Sequence, residues 1–92
     1  MINDKHIIFG GLGFIGQNLT QTLLAKGNRV LIVDRDHWGI KPIFDEISKT
    51  ENCQILRADV NTQEELVEES INTFLSDSRP ALVWHLAANS DI

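Results

Sequence analysis

The sequence predicts an α/β fold: a doubly wound, partial parallel sheet of four strands in spatial order 3-2-1-4, with three helices. Three observations carry this. Apolar runs of strand length alternate with stretches of helical period, and that order gives a parallel sheet with right-handed crossovers. The strand runs are almost wholly apolar, as central strands covered on both faces are. A glycine block, Gly10-Gly11-Leu12-Gly13-Phe14-Ile15-Gly16, joins the first strand to the first helix.

Residues 5–9 form the first strand. The first helix starts near 12–14. Ile15, Leu19 and Leu23 recur at steps of four with Leu24 beside them, which makes one apolar face. Gln17, Asn18, Gln21 and Lys26 fall mainly on the other face, and Gly27-Asn28 is a stop signal. Residues 29–33 are the second strand. An irregular stretch with Trp38 and Gly39 leads to Pro42, which suits the first turn of a second helix carrying Ile43, Phe44 and Ile47. Residues 53–56 are the third strand, with Cys53 read as a strand-filling side chain. Thr62 and Glu65 have capping-box spacing, so a third helix begins at about Gln63. Leu66, Val67, Ile71, Phe74 and Leu75 face inward on it. Glu64, Glu65, Glu68, Glu69 and Asp77 face outward, as a solvated side more simply than a partner site. Ser78-Arg79-Pro80 is a turn, and residues 81–86 are the fourth strand.

In a doubly wound sheet the crevice opens at the carboxyl ends of the strands, between strands 1 and 4. The glycine block, Asp34, Asp59 and Ala87-Ala88 all fall at those ends. Gly10, Gly13 and Gly16 spell one glycine register; Gly11, Gly13 and Gly16 spell another. Either can serve a structural turn, or a turn on which a dinucleotide diphosphate rests. A Cβ at the turn is expected to forbid its backbone angles and to block approach of the diphosphate, at Gly13 above all. Asp34, roughly 20 residues beyond the glycines, is placed to accept hydrogen bonds from an adenosine ribose, which makes the arrangement Rossmann-like. Asp59 could instead cap the next helix. His85 is read as a packed structural histidine, and Ala87 and Ala88 as small because something lies close to their backbone.

The chain has 92 residues, 42% of them hydrophobic, and a formal charge of −5. That is one domain or part of one. The acidic balance lacks the basic stripe of a nucleic-acid binder and gives no attraction to an anionic membrane. No apolar stretch reaches membrane-spanning length, and residues 1–5 do not open a secretory signal. The single cysteine fits a reduced, cytoplasmic setting.

Four segments in order, Gly10–Gly16, Val33-Asp34-Arg35, Ala58-Asp59-Val60 and His85-Leu86-Ala87-Ala88, resemble the N-terminal part of the extended short-chain dehydrogenase/reductases, the nucleotide-sugar epimerases and dehydratases. The resemblance favours the Gly10-Gly13-Gly16 register. It implies that the backbone at Phe14 and Ile15 contacts the diphosphate. Asp34 would bind the adenosine ribose, with Arg35 near the adenine, and Asp59 and Val60 would contact that ring. Leu86, Ala87 and Ala88 would line the nicotinamide half, and Asn89 and Ser90 would touch its ribose.

The resemblance further implies NAD in preference to NADP, because Asp34 repels a 2′-phosphate although an adjacent Arg could accommodate one. The implied chemistry is hydride exchange between a nucleotide sugar and the nicotinamide. The family's Tyr-x-x-x-Lys pair is absent, since the chain contains no Tyr. The expectation is therefore an N-terminal segment, residues 1–92, of such a domain: inactive alone, without catalytic residues of its own, and prone to self-association. The alternatives are a non-catalytic NAD(P)-binding regulator and a flavin-binding Rossmann protein.

Overall fold

The computed structural model describes residues 4–35, 49–76 and 81–86. The elements are β1 (Lys5–Phe9), α1 (Phe14–Ala25), β2 (Arg29–Asp34), β3 (Cys53–Arg57), α2 (Glu64–Phe74) and β4 (Ala81–His85). All pairings are parallel and the strand order is β3-β2-β1-β4, as expected. The helix expected from Pro42 and the turn at residues 78–80 lie outside the described residues. Two helices are therefore seen among the described residues, against three expected.

Alternate side chains of the central strands enter two cores. Ile8, Val30, Ile32 and Cys53 pack with Leu23 of α1. Ile7, Leu31 and Val33 pack with Val67 and Phe74 of α2. Both faces of the sheet are thus covered, which is why its strands read as continuous apolar runs. Among the described residues, no helix is long and apolar enough to cross a membrane.

α1 stops at a Schellman turn. Gly27 has φ 85°, its N–H donates to Leu24 O at 3.0 Å, and the Asn28 N–H donates to Leu23 O at 3.1 Å. The inner face of α1 is rotated from the expected one. Gly16, Gln17, Thr20 and Leu23 are buried, whereas Ile15 is 67% exposed. Small residues let the first turn sit close to the glycine block, and Ile15 is left at the open end of the helix. On α2, Leu66 is also exposed; Val67 and Phe74, seven apart, carry its buried stripe. The expected capping box does not form. Gln63 is the N-cap residue and makes no side-chain cap bond.

Two interactions were not anticipated. Lys5 is buried, donates from Nζ to the Phe74 carbonyl and lies 5.1 Å from the Phe74 ring centroid. A cation thus closes the C-terminal end of α2, where carbonyls lack helical partners and the dipole is negative. On the other face, the Trp84 indole N–H donates to His6 Nδ1 at 3.1 Å, tying β4 to β1.

Candidate functional site

Every described residue of the predicted site lies at the carboxyl ends of the strands. Hydrogen bonds beyond the strand ends keep the loops in the register of the sheet. Gly10 N–H donates to Val33 O (2.8 Å), Ala58 N–H to Asp34 O (3.0 Å), and Leu86 N–H to Phe9 O (2.8 Å). Each strand thereby hands its neighbour's loop to the same edge.

The glycines divide the work. Gly10 has φ 83° and is the positive-φ residue of the block. A Cβ at Gly16 would stand 2.5 Å from Gly11 Cα, so the first turn of α1 needs a glycine to pack on the turn below it. Gly13 differs from the expectation. Its backbone is extended, φ −75° and ψ 176°, a conformation open to any residue, so no strained angle depends on it. Among the described residues, a Cβ there would meet only Gly10 O, at 3.8 Å. Packing among the described residues does not require a bare backbone at Gly13.

Gly13 is the N-cap of α1, with no side-chain cap and no acid in the first turn. The positive end of the helix thus faces outward without an anion supplied by its own first turn. Phe14 and Ile15 in that turn are two-thirds exposed, and Val60 across the edge is also exposed. They give the rim an apolar lining.

Asp34, the last residue of β2, turns toward the glycine block. Its Oδ2 accepts the Leu12 N–H at 3.0 Å. Arg35 follows, and its Nη1 lies 4.0 Å from Asp59 Oδ2. Asp59 organises the loop after β3 rather than capping α2 with its side chain. Its Oδ1 accepts the Asn61 N–H at 2.8 Å, its own N–H donates to Gln63 Oε1 at 2.9 Å, and its carbonyl accepts the Gln63 N–H at 2.7 Å. The structure therefore brings together Gly10, Gly13, Phe14, Ile15, Gly16 and Asp34 at one turn, and Arg35, Asp59 and Val60 beside it. Leu86 follows β4 at the same edge. Ala87, Ala88, Asn89 and Ser90 lie outside the described residues.

Three supporting residues escaped the sequence reading. Leu12 gives Asp34 its backbone donor. Gln17, assigned to the polar face, is buried and donates from Nε2 to Leu12 O at 2.8 Å, bracing the turn from below. Gln63 locks the Asp59 loop. For Gln17 a signal existed: it stands next to Gly16 and three residues before Thr20, on the stripe of small residues. His85 is exposed rather than packed inside, and its ring stacks on Phe9 at 5.0 Å between centroids. Cys53 is a free, buried thiol, and burial pushes its pKa from 9.0 up to about 11. That makes it a core side chain and a poor nucleophile. Among the described residues, no cluster of three or more His, Cys, Asp or Glu could hold a metal ion.

Strand, glycine turn, helix and an acid at the tip of the next strand define the Rossmann class of fold. The chain belongs to the GDP-mannose 4,6 dehydratase family, whose model matches residues 7–92. It is 25% identical over 88 residues to a UDP-glucose 4-epimerase of Mycolicibacterium smegmatis, a match covering 96% of this chain and 26% of that protein. Among solved structures it is similar to the Bordetella bronchiseptica enzyme WbmG in complex with NAD (TM-score 0.70, 27% identity, 91% of this chain and 24% of that one). It is also similar to the Thermus thermophilus UDP-glucose 4-epimerase in complex with NAD (TM-score 0.67, 28% identity, 92% and 24%). The chain thus spans about a quarter of the length of these relatives. The resemblance to the extended short-chain dehydrogenase/reductases is borne out.

Proposed function

We propose that this chain is the NAD-binding segment of an NAD-dependent nucleotide-sugar epimerase or dehydratase, the N-terminal part of its Rossmann domain. The observation that carries the reading is Gly13. Among the described residues there is room for a side chain there and no strained angle to relieve, which suits a bare backbone approached by something outside the fold. The start of α1 beside it, with no acid in its first turn, suits an anionic diphosphate. Family membership, and relatives crystallised with NAD, support the same reading.

In this assignment the first-turn backbone at Phe14 and Ile15 takes the diphosphate. Asp34 takes the adenosine ribose; its carboxylate is held at the glycine block by the Leu12 N–H. Asp59 and Val60 flank the adenine with Arg35 beside it. Leu86, Ala87, Ala88, Asn89 and Ser90 are assigned to the nicotinamide half. When bound, the cofactor supplies hydride acceptance and return, and the nucleotide sugar is the partner in that exchange. This chain binds and orients. It carries no Tyr for the proton transfer such chemistry needs, so turnover requires groups beyond these 92 residues. A reducing cytoplasmic setting suits the free Cys53.

The test is titration of NAD and NADP into the full-length protein. NAD should bind more tightly, and Asp34→Ala should narrow the gap. Tighter NADP binding by the wild type would reverse the cofactor assignment. The lack of any Tyr also favours a second reading, a dinucleotide-binding regulator without chemistry. Turnover of a nucleotide sugar by the full-length protein would dismiss it.

A further inference from the structure

NAD and NADP differ by one phosphate on the adenosine 2′-oxygen. A protein tells them apart through the charges it sets around that oxygen. Among the described residues, the charges at the end of β2 are Asp34, Arg35 and, across the loop, Asp59. By residue type alone, Arg35 should admit the phosphate, because a guanidinium matches phosphate oxygens in bidentate fashion.

We propose that Asp59 is a specificity-determining residue that favours NAD over NADP by holding the Arg35 guanidinium; the proposal rests on the dinucleotide reading above. Arg35 Nη1 lies 4.0 Å from Asp59 Oδ2, and the two side chains differ in freedom, 65% against 27% exposed. Asp59 is fixed through its own loop: Oδ1 on the Asn61 N–H, its N–H on Gln63, and its carbonyl on the Gln63 and Thr62 N–H groups. Asp34 is fixed by Leu12. The longer, more exposed arginine therefore lies beside a carboxylate that its own loop anchors. Paired with Asp59 it is neutralised, and with Asp34 the three groups present a net negative charge to a phosphate.

The experiment uses the full-length protein and titrates NADH and NADPH, following nicotinamide fluorescence, at low and high salt. Wild type, Asp59→Asn, Arg35→Gln and the double variant are compared. Asp59→Asn should shift the NADH/NADPH affinity ratio toward NADPH by about two- to fivefold at low salt, the scale of an exposed ion pair. Salt should shrink the shift. Poorer adenine binding in Asp59→Asn would weaken both dinucleotides alike and cancel in the ratio, and so would a general loss of structure. In the Arg35→Gln background the shift should vanish. An unchanged ratio in Asp59→Asn overturns the proposal. So does a shift that survives without Arg35, because Asp59 would then act through its own charge. Binding of neither dinucleotide by the wild type brings down the underlying reading and this inference with it; NADH binding with an insensitive ratio brings down this inference alone.

Discussion

At the scale of single residues, Gly13 and Gly16 look alike in sequence and should behave oppositely. Gly13→Val places a side chain where the described residues leave space. It should keep its helical spectrum and lose only about 1 kcal/mol, since Val is a poorer N-cap than Gly, yet lose dinucleotide binding. Wild-type affinity in that variant would make the turn purely structural. Gly16→Ala instead drives a Cβ into Gly11 backbone and should lower stability by about 1–3 kcal/mol in thermal denaturation. Cys53 offers a check of the core. With its pKa raised from 9.0 to about 11 by burial, folding favours the protonated thiol. That contribution is intact below about pH 9 and is lost as pH rises toward 11. Alkylation of the native protein at pH 8 should therefore be slow and speed up in denaturant. Rapid alkylation of the native protein would mean that the β3 edge opens.

At the scale of elements, the strands were legible because burial on both faces leaves a run with few polar residues. The end of β2 at Asp34 was legible because an acid closes such a run. The helix faces were less so. Apolar spacing chose Ile15 and Leu66, and both are exposed, because the close approach of α1 is made by Gly16 and Thr20, which apolar spacing does not mark. The Thr62–Glu65 spacing matched a capping box, but the Asp59–Gln63 bonds hold the backbone of that loop instead. Lys5 was beyond reach from sequence, since its partner at the end of α2 lies 69 residues away. Lys5→Ala should cost about 1–3 kcal/mol in urea denaturation, from an unmet carbonyl and poorer packing. Lys5→Met should recover part of this by restoring the buried stem. A neutral Lys5→Ala would show that the cation contributes nothing to holding α2.

At the scale of the whole molecule, the strand order among the described residues leaves β4 paired with β1 on one side and at the edge of the sheet on the other. Leu82 and Val83 on it are half exposed. Residues 81–84 carry no charge to discourage pairing with another strand. The purified 92-residue chain should therefore sediment as more than a monomer at micromolar concentration, and a dilute, stable monomer would show that this edge is protected. The bond between His6 and Trp84 has a consequence of another kind, for the timing of synthesis. It joins residues 78 apart, so β1 can pair early with β2 yet waits with its second edge bare until β4 is made. At ribosomal rates of roughly 5–20 residues per second, that wait is about 4–16 s. During that interval a strand destined for the centre of the sheet is half-covered and open to chaperones.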